Sequence, residues 1–241
     1  MNTKVRSQPR QSGIMNGFFP AITYSAIADL RRIREHLQRS EDFLRSEVGR
    51  FKSEVALEVQ RLGLSREAAD DFYDANADEY EALTGFLPSA LRQSIVLLAC
   101  SVLESRMTDA AKELDVHPEI PKIRRWTQKG KKSGFFRAAD FLRDNIGVDA
   151  TLHPSWRRLA AWYELRNCIA HAGGVVMLMA TPGSIKSNVA TLRSQGVAIV
   201  NGTIHLPEGS LVALLDDMLA FAEALSSAFV ENELVGPLYW P

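Results

Sequence analysis

The sequence has few cysteines and little net charge, and these two scarcities exclude several classes of protein. Only two of its 241 residues are cysteine, Cys100 and Cys168, and both lie in apolar helical patterns where a thiol behaves as a small hydrophobic group. No disulfide framework is indicated, so we expect a cytoplasmic setting. The formal net charge of -1 excludes a global field that attracts nucleic acid or a membrane, so such a partner needs a local patch.

Membrane, metal and cofactor patterns are also missing from the sequence. Apolar runs such as SIVLLACSVL (94–103) are too short to span a bilayer, and the basic N-terminus lacks the apolar region of a secretory signal. We therefore expect no membrane partner. The sequence contains no zinc-ligand spacing, no phosphate-binding glycine loop and no serine elbow. The acidic residues of 70–81 are typical of a solvated helix face. We expect neither a metal nor a cofactor.

What the chain does contain is a proline-free stretch, residues 22–62, with apolar residues at helical spacing. We expect residues 20–64 to form one long helix, or two with a break near Gly49, after a disordered tail at 1–19. The apolar seam packs on its own domain or serves as a dimerisation arm, and both alternatives stay open. Arg34 and Glu41 interrupt this seam, which repeats every seven residues through Leu30, Leu37, Leu44 and Phe51.

Residues 65–235 are expected to form a helical bundle domain. Ser65 is placed to cap a helix over 66–83, TGFLP (84–88) to break the chain, and 89–114 to form the central helix. Further helices are predicted over 135–146, 155–172 and 210–230, with Gly173 ending the second. The runs 175–180, 197–200 and 203–206 are β-type, and Asn201-Gly202 joins the last two as a hairpin. The predicted fold class is mainly α, an up-and-down bundle with a short β-hairpin before its last helix.

A strongly basic segment, residues 121–137, contains no acidic residue and is interleaved with aromatic side chains. Cations that bind phosphates and rings that stack on bases are typical of single-stranded nucleic acid binding. The alternative is a solvated loop whose aromatic residues pack into the core. The predicted RNA-binding residues are Lys122, Arg124, Arg125, Lys129, Lys131 and Lys132.

The most unusual stretch is LRNCIAHAGG (165–174), where polar residues crowd the end of an apolar helix. Asn167 and His171 are four residues apart and share a face, so they can hydrogen-bond. His171 lies in the last turn, where the helix dipole favours a cation, and the planar guanidinium of Arg166 suits a phosphate. The segment is therefore either an anion-binding site or a helix end that carries a favourable histidine. Cys168 is interpreted as a core thiol rather than an activated one.

The string Arg166-Asn167-Cys168-Ile169-Ala170-His171 resembles the signature of the HEPN superfamily, in which an arginine and a polar residue precede a histidine. The resemblance covers about residues 85–231 and includes the upstream apolar helix that carries Glu104. It implies a metal-independent endoribonuclease, often a toxin or anti-phage effector, that acts on RNA as a homodimer. It also implies a cognate antitoxin or a sensor protein as a possible partner. The chain departs from a toxin branch of the family at Gly173, where that branch has a tyrosine modified by a partner nucleotidyltransferase.

Carried over to this chain, the resemblance assigns catalysis to Arg166 and His171, with Asn167 as polar support and Glu104 in a supporting position. The sequence leaves Glu104 as either an exposed rim residue or a buried carboxylate that pairs with an arginine. Some members of the family are non-catalytic modules, so binding of RNA, a nucleotide or a partner protein is the alternative function. Arg166 and His171 are also separated by about 140° around an ideal helix. That angle predicts a site shared between two subunits.

Overall fold

The computed structural model describes residues 15–116, 126 and 134–231, and it describes side chains only from residue 23 to residue 229 of those ranges. Within them the chain is mainly helical, with one two-stranded antiparallel hairpin before the last helix. The fold class predicted from the sequence is confirmed.

The described part of the chain forms α-helices and one β-hairpin, numbered in chain order. The α-helices are α1 (Met15–Leu62), α2 (Arg66–Ala75), α3 (Ala77–Glu81), α4 (Leu87–Val116), α5 (Gly134–Ile146), α6 (Trp156–Ala172), α7 (Pro182–Thr191) and α8 (Ser210–Glu231). A π-helical turn, Ala82–Phe86, connects α3 to α4. The hairpin consists of β1 (Ala198–Val200) and β2 (Thr203–His205).

The chain divides into two compact units. The first unit comprises the chain up to Leu30, Ser101–Leu159 and the chain from Asp216 onward, and the second comprises Arg31–Cys100 and Ala160–Leu215. Because the divisions fall inside helices, α1, α4, α6 and α8 each contribute residues to both units.

The N-terminal helix is continuous from Met15, so residues 15–19 belong to it rather than to the expected tail. The alternative of a break near Gly49 is wrong, since the helix runs through this residue. Residues 1–14 of the expected tail lie outside the described residues. The first part of the apolar face of this helix is buried, at Ala26, Ile27, Leu30, Ile33 and Leu37.

The stretch before α4 corrects two predictions. Ser65 caps α2 as expected, accepting from the Ala68 N–H at 3.3 Å, but the helix ends at Ala75 and Asn76 separates it from α3. The predicted break at TGFLP is wrong because the chain stays helical there. The N–H of Leu87 donates to the carbonyl of Ala82 five residues back, which is π-helical spacing. Pro88 is the second residue of α4, which directly follows this π-helical turn.

The β-hairpin is confirmed at its predicted position. Its turn residues Asn201 and Gly202 have φ of +49° and +79°, the left-handed pair that a two-residue hairpin turn requires. The prediction of a strand over 175–180 is wrong. Only Val175 bridges to Thr203, and residues 176–178 form a 3₁₀ turn whose Met177 and Leu178 point to solvent. Helix α7 was not predicted, because only Ile185 and Val189 are buried along it.

The first unit has a core of aromatic rings beside a buried polar cluster. Phe135 stacks on Trp156 with ring centroids 5.2 Å apart, and His153 meets Phe221 edge-on at 5.3 Å. Burial lowers the pKa of His153 despite the nearby carboxylate of Asp217, so its neutral form is favoured and its Nδ1 accepts from the Ser155 N–H at 3.2 Å.

One described helical stretch, Ala77–Val116, is long and apolar enough to cross a membrane by length and composition alone. The core helix of a folded domain passes the same test, and Val96, Cys100 and Leu103 of this stretch are buried in the fold. The absence of a membrane partner therefore stays a prediction.

The second unit contains a buried ion pair between α1 and α4. Arg92 holds both carboxylate oxygens of Glu41, with Nε to Oε1 at 2.6 Å and Nη2 to Oε2 at 2.9 Å. Its Nη1 donates to the carbonyl of Leu206, just after β2, at 3.1 Å. The side chains of Glu41 and Arg92 are only 9% and 14% exposed. The carboxylate that interrupts the apolar seam of α1 is thus a fixed, fully bonded core group.

We predict that Arg92→Met lowers the free energy of unfolding by about 3–5 kcal/mol, because it leaves the Glu41 carboxylate buried without a cation. Urea unfolding followed by circular dichroism measures the change. Arg39→Met is the matched control, since the Arg39–Glu35 pair of the same helix is 81% and 67% exposed and should contribute little. The double variant Glu41→Leu/Arg92→Met should recover most of the loss. Equal effects of Arg92→Met and Arg39→Met would contradict this assignment.

Candidate functional site

The polar cluster of residues 166–171 lies on the last turns of α6, in the second unit. Its apolar members Leu165, Cys168 and Ile169 are buried. Arg166 and Asn167 are half-buried, and His171 is exposed. One face of the helix is therefore buried in the core. The predicted catalytic side chains lie on the partly exposed face.

Two glycines end α6, as the sequence predicts for Gly173. Gly173 and Gly174 have φ of +56° and +81°, and their N–H groups donate to the carbonyls of Ile169 at 3.0 Å and Cys168 at 3.2 Å. These bonds satisfy carbonyls that the helix end would otherwise leave without partners. The turn that carries His171 is thereby closed by backbone hydrogen bonds.

The hairpin fixes the chain directly after this turn. The N–H of Ile204 donates to the carbonyl of Gly174, and the N–H of Val176 donates to the carbonyl of Gly202, both at 2.9 Å. A Cβ atom at Gly174 would lie 3.6 Å from the Nε2 of Gln93 and 3.6 Å from the Cγ2 of Thr203. Sequence reasoning did not place Gln93 here, because it lies on α4, far away along the chain.

Arg166 is the side chain of the cluster with a buried polar atom that lacks a hydrogen-bond partner among the described residues. Its Nη1 donates to the Oδ1 of Asn167 at 3.1 Å. Its Nε is buried and has no hydrogen-bond partner among the described residues. An unpaired buried donor costs about 1–3 kcal/mol, and such a group in a folded protein calls for a specific explanation. The guanidinium is held in place by one bond and retains donors for a ligand.

The hydrogen bond that this spacing allows between Asn167 and His171 is not formed. The Oδ1 of Asn167 accepts from the Arg166 guanidinium instead, and hydrogen bonds from a charged donor are the stronger kind. No hydrogen bond reaches the His171 ring from the described part of the chain. Asn167 supports the arginine, and the exposed imidazole stays open to solvent or a ligand.

Cys168 is a core thiol, as the sequence indicates. Its side chain is fully buried, and burial raises the pKa of the thiol above its ordinary value. A higher pKa disfavours the thiolate, which is the nucleophilic form. Burial and the raised pKa therefore favour a core thiol over an activated cysteine beside Arg166.

Glu104, the supporting residue that the resemblance implies, lies in the first unit and is half-buried. Its carboxylate rests against Gly134, the first residue of α5, so closely that a Cβ atom at this position would overlap with its Oε1. A carboxylate is favoured at the N-terminus of a helix by the helix dipole. Within the described residues Glu104 forms no ion pair with an arginine. Its place at the start of α5 gives the carboxylate a structural role, and the supporting role that the resemblance implies stays a prediction.

The predicted RNA-binding residues of the basic segment lie outside the described residues: Lys122, Arg124, Arg125, Lys129, Lys131 and Lys132. The neighbouring aromatic residues that are described pack against the fold. The Trp126 ring meets Phe141 edge-on at 5.8 Å, with the Arg137 guanidinium 4.0 Å above it, and Phe135 is fully buried. These rings follow the alternative in which the aromatic residues of the segment pack into the core.

Among the described side chains, no group of three or more histidine, cysteine, aspartate or glutamate residues is arranged to hold a metal ion. Comparison of the chain with protein-family models, curated proteins and solved structures finds no match. The function of the cluster must therefore be argued from its own geometry and chemistry.

If Arg166 is kept for ligand binding rather than stability, removing its charge should not harm the fold. We predict that Arg166→Met raises the free energy of unfolding by about 1 kcal/mol, because methionine keeps the apolar stem and removes the buried unpaired Nε. Chemical unfolding measures the change.

Two arginines of the same helix provide controls for this prediction. Arg158→Met should lower stability by about 1–3 kcal/mol, because its partner Asp217, bonded at 2.7 Å, is buried. Arg157→Met, on an exposed position, should change stability by less than about 0.5 kcal/mol. A loss for Arg166→Met as large as that for Arg158→Met would show that Arg166 is a structural residue.

Proposed function

We propose that the protein is a metal-independent endoribonuclease of HEPN type, acting as a homodimer on cytoplasmic RNA. The observation that carries the proposal is the Arg166 guanidinium, which is half-buried, held by Asn167, and left with a buried donor that no described group satisfies. A planar cation with free donors suits a phosphodiester, and His171 on the same helix end supplies an imidazole, which can accept or donate a proton.

The chemistry follows from these two side chains. His171 accepts the proton of a ribose 2′-hydroxyl, whose oxygen attacks the adjacent phosphorus, or it donates a proton to the departing 5′-oxygen. The products are a 2′,3′-cyclic phosphate and a free 5′-hydroxyl, and no metal or cofactor takes part. Arg166 stabilises the negative charge that builds on the phosphoryl oxygens, through charge-assisted hydrogen bonds.

Helix geometry supports a site shared between two subunits. Arg166 and His171 project about 140° apart around α6, so one chain has difficulty directing both at one phosphate. A two-fold axis beside α6 allows Arg166 of one chain to meet His171 of its partner. The homodimer in this proposal is therefore part of the active site.

We predict that purified wild-type protein cleaves RNA in the presence of EDTA, and that Arg166→Ala and His171→Ala each reduce the rate at least about a hundredfold. Heterodimers of the two variants, co-expressed with different tags and purified on both, should regain up to half of the wild-type rate. In that heterodimer one composite site keeps both native residues.

The control for this experiment is a heterodimer of wild-type chain with the double variant Arg166→Ala/His171→Ala. A composite site predicts an inactive control, because each of its two sites lacks one residue. A site within one chain predicts that the control keeps about half of the activity and that the first heterodimer stays inactive. Cleavage that EDTA abolishes would contradict the metal-independent mechanism itself.

The basic segment provides a separate test of RNA as the substrate. If Lys129, Lys131 and Lys132 contact phosphates, their triple replacement by alanine should weaken RNA binding and flatten its dependence on salt concentration by up to about 3 in the log–log slope. Fluorescence anisotropy over a salt series measures both quantities. Replacement of Lys186, an exposed lysine of α7, is the control. An unchanged affinity and slope would identify the segment as a solvated loop.

The biological setting that we propose is that of a toxin or anti-phage effector, controlled by a cognate antitoxin or a sensor protein. Gly173 occupies the position where a toxin branch of the family carries a modifiable tyrosine, so control by nucleotidyl transfer at that position has no acceptor here. Control by direct protein binding is the form that this chain can support.

A second candidate function is a non-catalytic module that binds RNA, a nucleotide or a partner protein through the same helix end. One observation favours it: no described group hydrogen-bonds to the His171 imidazole, whereas catalytic histidines are generally oriented by a partner. Saturable RNA binding that depends on Arg166, with no cleavage by any dimer, would select this function.

A further inference from the structure

The second unit contains a cavity far along the chain from the Arg166 cluster. It lies between the C-terminal part of α1 and the short helices α2 and α3, and its volume is about 410 Å³. Pockets of roughly 300–1,000 Å³ are the size that accommodates small organic ligands. The side chains that matter for its chemistry are Phe51, Lys52, Tyr73, Asp74, Asn76 and Tyr80.

Aromatic rings form the walls of this cavity, and Val55 is buried at its base. The rings of Phe51 and Tyr80 are nearly parallel, with an angle of 25° and centroids 6.2 Å apart. Tyr73 and Tyr80 are 47% and 38% exposed, so much of their surface is available to a ligand. Rings held in this way offer faces on which a flat heterocycle can stack.

The cavity is lined by three different polar groups: a carboxylate, an amide and a lysine. The Asp74 carboxylate forms no hydrogen bond or ion pair with a described residue. The Asn76 amide nitrogen donates to the carbonyl of Phe72 at 2.7 Å, which fixes the side chain and leaves its Oδ1 as a free acceptor. Lys52 places its Nζ 5.3 Å from the centre of the Tyr80 ring, beside the same walls. The cavity therefore combines stacking surfaces, two acceptors and one cation.

We propose that this cavity binds a guanine nucleotide. Guanine presents two adjacent donors on one edge, N1–H and the 2-amino group, and an ionised carboxylate accepts from both at once. Adenine and cytosine offer an amino group beside a ring acceptor, and uracil offers one N–H between two carbonyls. The base stacks on a ring face of this aromatic wall that the Phe51–Tyr80 contact leaves exposed, Asp74 and Asn76 accept from its edge, and Lys52 pairs with the phosphate.

The charge around the cavity favours a free nucleotide over an RNA strand. Helices α2 and α3 carry many carboxylates and few cations, so a chain of phosphates along them would be repelled. A mononucleotide needs only one cation for its phosphate. The proposal does not depend on RNA cleavage, since neither Arg166 nor His171 lines the cavity.

Isothermal titration calorimetry with GMP, AMP, CMP, UMP and guanosine tests the proposal on the full chain. We expect saturable binding of GMP, weaker binding of the other three nucleotides, and weaker binding of guanosine because it lacks the phosphate. Asp74→Asn replaces one acceptor by a donor and should weaken GMP roughly five- to 150-fold, the range of a two-bond contact to a base edge. Lys52→Gln should abolish the preference for GMP over guanosine.

Matched variants separate these effects from loss of folding. Asp71 is on α2 but does not line the cavity, and Tyr24 is an exposed residue of α1 that does not line it either. The variants Asp71→Asn and Tyr24→Leu should therefore bind GMP as the wild type does. Tyr80→Leu should lose binding while it keeps the wild-type circular dichroism spectrum. Arg166→Ala should bind GMP unchanged, whatever its effect on RNA.

Absence of saturable GMP binding up to about 5 mM would overturn the proposal. The binding free energy would then be weaker than the roughly −4 kcal/mol of a ligand with a millimolar Kd. Equal affinity for all four nucleotides would overturn the assignment of guanine. GMP binding that Asp74→Asn, Lys52→Gln and Tyr80→Leu leave unchanged would place the nucleotide elsewhere on the protein.

Discussion

The buried pair of Glu41 and Arg92 is the interaction on which the geometry of the second unit depends. Arg92 takes both carboxylate oxygens of Glu41 and also holds the carbonyl of Leu206, so one guanidinium links α1, α4 and the chain after β2. The carbonyl of Gly174 accepts from β2 at Ile204. The end of α6, which carries His171, is thus tied through the hairpin to a charge pair formed by two other helices.

Two arginines on α6 show how differently one residue type is used within one helix. Arg158 donates to Asp217 at 2.7 Å and to the Ser155 hydroxyl at 3.2 Å, in a cluster where donors and acceptors are matched. The Asp217 hydrogen bond raises the pKa of Arg158, as expected of a guanidinium with a carboxylate partner. Arg166 is held only by a neutral amide and keeps an unmet Nε. Stability explains the first arrangement, and the second is the arrangement from which we propose a ligand.

The parts of the fold that local signals specify were predictable from the sequence, and the parts that depend on tertiary partners were not. The Ser65 cap, the Asn201-Gly202 turn and the Gly173 helix end each follow from one or two residues with special backbone or side-chain chemistry. The prediction of a strand over 175–180 was wrong because the backbone groups of this segment form hydrogen bonds with the hairpin and within a 3₁₀ turn. Glu41 looked like an interruption of the apolar seam because its partner lies on another helix.

The same distinction separates the two places where this chain offers chemistry to a ligand. The Arg166 cluster is visible in the sequence because four polar or reactive groups lie within six residues of an apolar helix. The α1–α3 cavity has no such signal. Phe51 reads as one more apolar position of a heptad pattern, and Asp74 reads as one carboxylate of an acidic helix face. Only the fold sets the Phe51 and Tyr80 rings nearly parallel beside an unpaired carboxylate and a lysine.

With a net charge of -1, the chain has no overall field to select an anionic ligand. In our proposals the few charges of each place decide which phosphate it accepts: a guanidinium at one, and a lysine beside a carboxylate at the other.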